Sequence, residues 1–442
     1  MGTLDANPAS GTRDFLPDEA RHRDSVFHTI RNTFERHGFA PLDTPAFERL
    51  DVLAGKYGEE GDQLIFKILR RGEHEAQGEA DLALRYDLTV PLARVVARYG
   101  SQLPTPFRRY QIAPVWRADR PGKGRFREFY QCDIDTVGSD SLVADASTII
   151  TIADAIDALG VRGATVLLNA RTALRGLIDA YGIDPALEAT TLTALDKLHK
   201  IGVDGVGREL VERGVPRAAV TQLTTDLHHA DATAVLRERI ASTETGRVGL
   251  AEIDTVKKIV GDTSHTTLTY DPVLARGLSY YTGPVFEVVH SDLDVTVAAG
   301  GRYDGLIGMF QSQSIPACGG SLGIERLLLL AERDANHTAH VDVLVTVLDE
   351  NDAGDMAQLA QNLRNAGLRT ELYSGGGSRK LAKQLKYADR IGAALVVMYG
   401  EQERSAGNVT VKEMLSGTQH AFSFADVTAA TVALHHDLNH PS

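Results

Sequence analysis

Residues 107–138, FRRYQIAPVWRADRPGKGRFREFYQCDIDTVG, concentrate the polar chemistry of this 442-residue chain. They read as two β-strands joined by a basic Gly/Pro loop. Side chains on a strand alternate between faces. On the first strand Tyr110, Ile112 and Trp116 share one face, and Arg109, Gln111 and Arg117 the other. On the second, Phe126, Tyr130, Cys132 and Ile134 share one face, and Arg125, Arg127, Phe129, Gln131, Asp133 and Asp135 the other. The first set suits a core. The second places arginines, an aromatic, an amide and two acids side by side. Arginine clamps phosphate bidentately, an aromatic ring stacks on a base, and acids with an amide can read a small polar cation. The loop 118–124 (ADRPGKG) brings Arg120 and Lys123 to its tip, where a nucleic-acid backbone could lie.

A chain of 442 residues is too long for one ordinary core and predicts two or three domains. Apolar residues make up 43% and charged residues 24%, a soluble globular composition. The net charge of −13 argues mildly against a polyanionic partner, so any such contact must come from local basic patches. Two cysteines, Cys132 and Cys318, without CxxC spacing give neither a disulfide framework nor a zinc site, and they fit a reducing cytoplasm. The start, MGTLDANPAS, has no basic and apolar regions of a secretory signal, and no apolar run reaches the roughly 18 residues of a membrane span.

Those polar residues need elements to hold them. Residues 18–37 read as a helix, with Pro17 near the start, Val26, Ile30 and Phe34 at four-residue spacing, and Gly38 as a stop. FAPLDTPAFE (residues 39–48) is extended, 88–99 is helical, and 140–159 reads as an amphipathic helix closed by Gly160. From about 170 to 260 helical patterns dominate without a catalytic-looking polar cluster; β patterns return at 266–270 and 285–289. Residues 331–340 (AERDANHTAH) read as a linker. Beyond them strands alternate with helices, which predicts a small α/β domain with a largely parallel sheet. Neither GxxxxGK[ST] nor a strand-following GxGxxG occurs, so a bound nucleotide would be held by arginines on a sheet rather than by a glycine loop.

The segment 107–138 resembles motif 2 of the class II aminoacyl-tRNA synthetases, and in detail the histidyl-tRNA synthetase family. Other blocks carry the resemblance over most of the chain. LARGLSYYTGPVFE (274–287) and AAGGRYDGL (298–306) are similar to the two histidine-specific signature blocks, GGSLGIERLLLL (319–330) to motif 3, TPAFE (44–48) to the end of motif 1, and LRYDLTVPLAR (84–94) to the histidine-binding strand and helix. The resemblance implies an α/β multidomain protein. Residues 1–335 would form the class II antiparallel-sheet catalytic domain, with a helical insertion at about 171–262, and residues 336–442 an α/β anticodon-binding domain. It implies a histidine–tRNA ligase, which activates L-histidine with ATP and transfers it to tRNA(His). It further implies Mg2+ arriving with ATP, no prosthetic group, no protein metal site, a cytoplasmic homodimer with Pro45 near its interface, and no membrane. Two rivals stand beside it: a non-catalytic paralogue, the regulatory subunit of the histidine-biosynthesis ATP phosphoribosyltransferase complex, and another class II synthetase with a similar C-terminal domain, such as the glycyl, threonyl or prolyl enzyme.

The resemblance also implies roles, residue by residue. Arg117 and Arg276 would be catalytic, on opposite sides of the α-phosphate, and both would also bind histidine, Arg117 through its carboxylate. The α-ammonium of histidine would meet Asp87, Thr89 and Gln131; the imidazole would meet Asp135 and Tyr281, with Tyr280 and Tyr303 lining the pocket. Arg117, Asp119, Arg125, Phe129 and Arg326 would hold ATP. Arg120 and Lys123 at the loop tip, with Arg379 and Lys383 near the C-terminus, would contact tRNA. Several readings stay open on the residues alone: Arg117 could be a solvated strand-end arginine, Phe129 a core residue, and the stripe Arg379, Lys380, Lys383 and Lys386 an ordinary helix face. Ser279 stands where the family's RGLDYY has Asp. The pairs His228–His229 and His435–His436 read as solvated residues.

Overall fold

The structure, a computed structural model, describes residues 4–122, 124–261, 267–275, 280–291, 295–331, 341–375 and 379–439. It parts into a larger and a smaller, C-terminal compact unit.

The larger unit is built on an eight-stranded sheet. In spatial order its strands are Ala40–Pro41, Phe107–Trp116, Glu128–Val137, Ala317–Gly323, Val295–Arg302, Pro284–His290, Ala164–Ala170 and Thr267–Tyr270. The six central strands pair antiparallel, and only the two edge strands pair parallel with their neighbours. The two motif 2 strands pair over their whole length, from Phe107 opposite Val137 to Trp116 opposite Glu128. Their apolar face joins the main core: Tyr110, Cys132 and Ile134 pack with Ile30 and Phe34 of the helix Pro17–Arg36, and with Ile149, Ile152 and Ile156 of the helix Leu142–Ala158. That second helix is not amphipathic as the sequence suggested. Ten of its residues are buried, because it is covered on several sides.

Among the described residues six α-helices, from Arg171–Ala180 to Glu244–Val260, lie between the strands Ala164–Ala170 and Thr267–Tyr270. Two of them approach closely: a Cβ on Gly176 would sit 2.2 Å from Gly246 Cα, so glycine at this crossing is a packing requirement. A separate three-stranded sheet, in the order Phe47–Arg49, Ala80–Leu84, Lys67–Leu69, carries the TPAFE block and leads into the helix Thr89–Tyr99. Here Arg94 clamps Glu48 bidentately, at 2.7 to 3.0 Å.

In the smaller unit the sheet order is Thr370–Leu372, Val343–Val345, Leu395–Met398, Val409–Glu413, Gln419–Phe422. The first two pairings are parallel and the last two antiparallel, so the sheet is mixed rather than largely parallel. For the last pairing the cause is connection length: the short link 414–418 closes a hairpin, whereas a parallel neighbour needs a crossover. The other antiparallel pairing is made across a link that carries the helix Glu401–Ala406. His435, expected to be solvated, is half-buried with Nε2 3.2 Å from Asp342. No helix of the described residues is long and apolar enough to cross a membrane.

Candidate active site

The sheet's polar face and the start of the helix Thr89–Tyr99 line one cavity of about 630 Å3. That volume lies in the range of small-molecule sites.

At one end, Asp87 precedes the helix. It is buried, and its Oδ1 accepts the Val90 N–H at 3.0 Å and the Tyr57 hydroxyl at 3.1 Å. Burial raises its pKa, while the Val90 N–H, Arg117 and Tyr57 act to keep the charge. Thr89, the first helical residue, also lines the cavity.

Along the second motif 2 strand, Gln131, Asp133 and Asp135 project into the cavity. The facing strand places Gly323, Ser321 and Gly319 opposite them in register. Gly319 makes room: a Cβ there would come within 2.0 Å of Asp135 Oδ1. Gln131 Nε2 donates to Ser321 Oγ at 3.0 Å. Asp135 is fully buried, 2.6 Å from Arg109, and accepts the Tyr303 hydroxyl. Burial raises its pKa against the opposing pull of Arg109 and Tyr303. Tyr280 packs between Tyr281, at 5.1 Å, and Tyr303, at 5.9 Å, between ring centroids. Together these residues form an aromatic-walled pocket with a charged floor.

The other end is cationic. The Arg117 guanidinium lies 4.3 Å from the Tyr86 ring centroid and 5.2 Å from that of Phe129, with Nε donating to Tyr86 O at 3.0 Å. Arg125 and Asp119 pair at 2.7 Å. Arg326, on the helix Ile324–Leu330, donates to Thr296 O, and Thr296 Oγ1 donates to Glu287 at 3.2 Å. One end can therefore take an ammonium and an imidazole. The other can take polyphosphate and a planar base.

Of the residues singled out from the sequence, Asp87, Thr89, Arg117, Asp119, Arg125, Phe129, Gln131, Asp135, Tyr280, Tyr281, Tyr303 and Arg326 all line this cavity. Arg276, Lys123 and Ser279 lie outside the described residues. Arg120 is exposed at the loop. Arg379 pairs with Glu350 at 3.1 Å, and Lys383 lies on the helix Leu381–Arg390 of the smaller unit. One expectation needs correction. Arg109 and Gln111 share the polar face but do not line the cavity: Arg109 pairs with Asp135 and donates to Leu88 O, and Gln111 Nε2 donates to Thr44 Oγ1. Asp196, in the helical stretch after residue 170, also lines the cavity. Sequence reasoning missed Tyr57 and Glu287, and gave Asp133 no role although its strand parity marked it.

Among the described residues no group of three or more His, Cys, Asp or Glu could hold a metal ion.

The family model described as histidyl-tRNA synthetase matches residues 11–327, and that described as anticodon binding domain matches residues 342–433. A histidine–tRNA ligase of Porphyromonas gingivalis is 40% identical, over 96% of this chain and 98% of the relative. One of Christiangramia forsetii is 38% identical, over 95% and 98%. The crystal structure of histidyl-tRNA synthetase from Nostoc sp. PCC 7120 superposes with a TM-score of 0.78 at 29% identity, covering 98% of this chain and 100% of that one. With this cavity and these matches over nearly the whole length, the chain belongs to the histidyl-tRNA synthetase family of aminoacyl-tRNA ligases.

Proposed function

We propose that the chain activates L-histidine with MgATP and esterifies tRNA(His) in this one cavity. The observation that carries the reading is the joining of two chemistries on one sheet face: an acid-and-tyrosine pocket at Asp87, Gln131, Asp135 and Tyr281, and an arginine–aromatic platform at Arg117, Phe129 and Arg326. The α-ammonium binds Asp87, Thr89 and Gln131. The imidazole binds Asp135 and Tyr281, walled by Tyr280 and Tyr303. A histidine carboxylate oxygen attacks the α-phosphorus, the bond to the bridging oxygen of pyrophosphate breaks, and pyrophosphate leaves. Arg117 and Arg276 stabilise the charge that builds at phosphorus. Arg125, with Asp119, and Arg326 hold the remaining phosphates, and Phe129 and Arg326 hold the adenine. The terminal ribose hydroxyl of the tRNA then attacks the carbonyl carbon, and AMP leaves. Mg2+ enters as part of the nucleotide substrate.

In this reading the catalytic domain spans residues 1–335, with its helical insertion at about 171–262, and the anticodon-binding domain spans 336–442. The loop residues Arg120 and Lys123 meet the acceptor arm, and Arg379 and Lys383 the anticodon side. The active form is a cytoplasmic homodimer. Exposed Pro45, and Phe47 and Leu69 at 52% and 51% exposure on the three-stranded sheet, support a partner there. The regulatory-subunit rival is disfavoured by the anticodon-domain match at 342–433. Charging of purified tRNA(His) with labelled histidine tests the reading: ester formation that requires ATP is the expected result, and none with an intact chain and tRNA contradicts it.

A further inference from the structure

The segment between the helix Leu50–Leu53 and the strand Lys67–Leu69 is folded onto the ammonium end of the cavity. Gly55 takes a left-handed turn at φ +75° and donates its N–H to Asp62 at 2.7 Å. At the far end the Leu64 carbonyl accepts the Ala118 N–H at 2.8 Å, one residue from Arg117. Between these anchors Gly61 packs against Tyr57 so closely that a Cβ would fall 2.4 Å from the tyrosine's own Cβ. Tyr57 lies ring to ring on Tyr86, with centroids 4.2 Å apart, and its hydroxyl donates to Asp87 Oδ1 at 3.1 Å. The Val90 N–H donates to the same oxygen at 3.0 Å. Among the described residues no hydrogen bond reaches Asp87 Oδ2, and Asp87 lines the cavity. Tyr86 in turn supports Arg117, through its ring and its carbonyl.

We propose that Tyr57 is a positioning residue for amino-acid recognition: it locks the Asp87 carboxylate with one oxygen turned to the substrate's α-ammonium. The inference rests on the reading of Asp87 as the ammonium acceptor. Two donors on one oxygen fix the carboxylate's rotation, so little freedom is lost when the ammonium arrives. The hydroxyl also helps a buried acid to stay ionised, as do Arg117 and Arg109. The ring on Tyr86 links the same segment to Arg117, so ammonium and carboxylate recognition share one support.

The test uses the full chain and the variant Tyr57→Phe, which keeps the ring packing and removes the hydroxyl. Binding of L-histidine, histidinol (ammonium without carboxylate) and imidazolepropionate (carboxylate without ammonium) is measured, with the KM for ATP alongside. A lost hydrogen bond to a charged group predicts about tenfold weaker binding of histidine and histidinol, with imidazolepropionate and ATP unchanged. Equal weakening of all three ligands, or of none, overturns the proposal. The wild-type chain separates the two failures. If it binds imidazolepropionate as tightly as histidine, Asp87 does not hold an ammonium, and the parent reading fails before Tyr57 is tested.

Discussion

Asp135 and Arg109 form an ion pair at 2.6 Å beneath the pocket, with side chains 3% and 0% exposed. The two residues face each other across paired strands. On the proposed reading Asp135 is both the floor of the imidazole pocket and the counter-ion of a fully buried guanidinium. Removing one partner of such a pair leaves an uncompensated buried charge. Asp135→Ala should therefore destabilise the chain by about 3–5 kcal/mol as well as raise the KM for histidine. A double-mutant cycle with Arg109→Ala, read by denaturant unfolding, should show a coupling of about 1 kcal/mol or more. Additive losses would mean that the pair carries no stability.

Tyr303 donates to the same carboxylate, so Tyr303→Phe gives the cleaner test of recognition. It leaves the Arg109 pair in place. The KM for histidine should rise about tenfold, with the KM for ATP unchanged. Equal effects on both substrates would remove Asp135 from the imidazole subsite.

Asp133 predicts a pH dependence of stability. Burial pushes its carboxyl from 3.8 up to about 7, against the pull of Arg109 and Ser321 and with the help of Asp135 and Asp87. Below the ordinary value both folded and unfolded chains hold the proton. Between the two values only the folded chain does, so this residue's contribution falls as pH rises and is gone above about 7. Asp133→Asn does not titrate. Its melting temperature relative to wild type should rise progressively from pH 5 to pH 8. A difference that stays constant over that range refutes the buried-acid account.

The charge-stabilising role proposed for Arg276 can be tested through kinetics. Arg276→Ala should lower kcat for adenylate formation by about 10²-fold or more, with smaller changes in histidine and ATP affinity. A normal adenylation burst in the variant would rule the role out.

The C-terminal unit should separate the two half-reactions. A fragment ending near residue 337 retains every adenylation residue named above, so it should still form adenylate. It should charge tRNA poorly and with a steep salt dependence, since only acceptor-arm contacts remain. Charging at full-length efficiency would reduce the Arg379–Lys386 stripe to a solvated face.

Much of the site could be read from parity alone. The alternation of Gln131, Asp133 and Asp135 against Cys132 and Ile134 placed the acids on one face and the core on the other, as the structure has them. Parity could not tell Arg109 from Arg117. Both share that face, but only the register against Asp135 and the cover of Leu88 bury the first. Tyr57 and Asp196 were illegible for a related reason. Asp196 reaches the cavity, and Tyr57 reaches Asp87, from segments distant in sequence, and no local period marks a residue whose role comes from a tertiary contact. The last antiparallel pairing of the smaller unit escaped because strand direction there depends on how the short link 414–418 closes, not on the strands' composition.

The cavity, on the proposed reading, selects histidine. ATP–pyrophosphate exchange with each of the twenty amino acids in turn tests it most directly. Exchange should be supported by histidine far above the other nineteen, and it should be lost with histidine in Gln131→Ala, which removes a proposed ammonium partner without touching the buried Arg109 pair. Preferential exchange with a different amino acid, or histidine exchange undiminished in that variant, would contradict it.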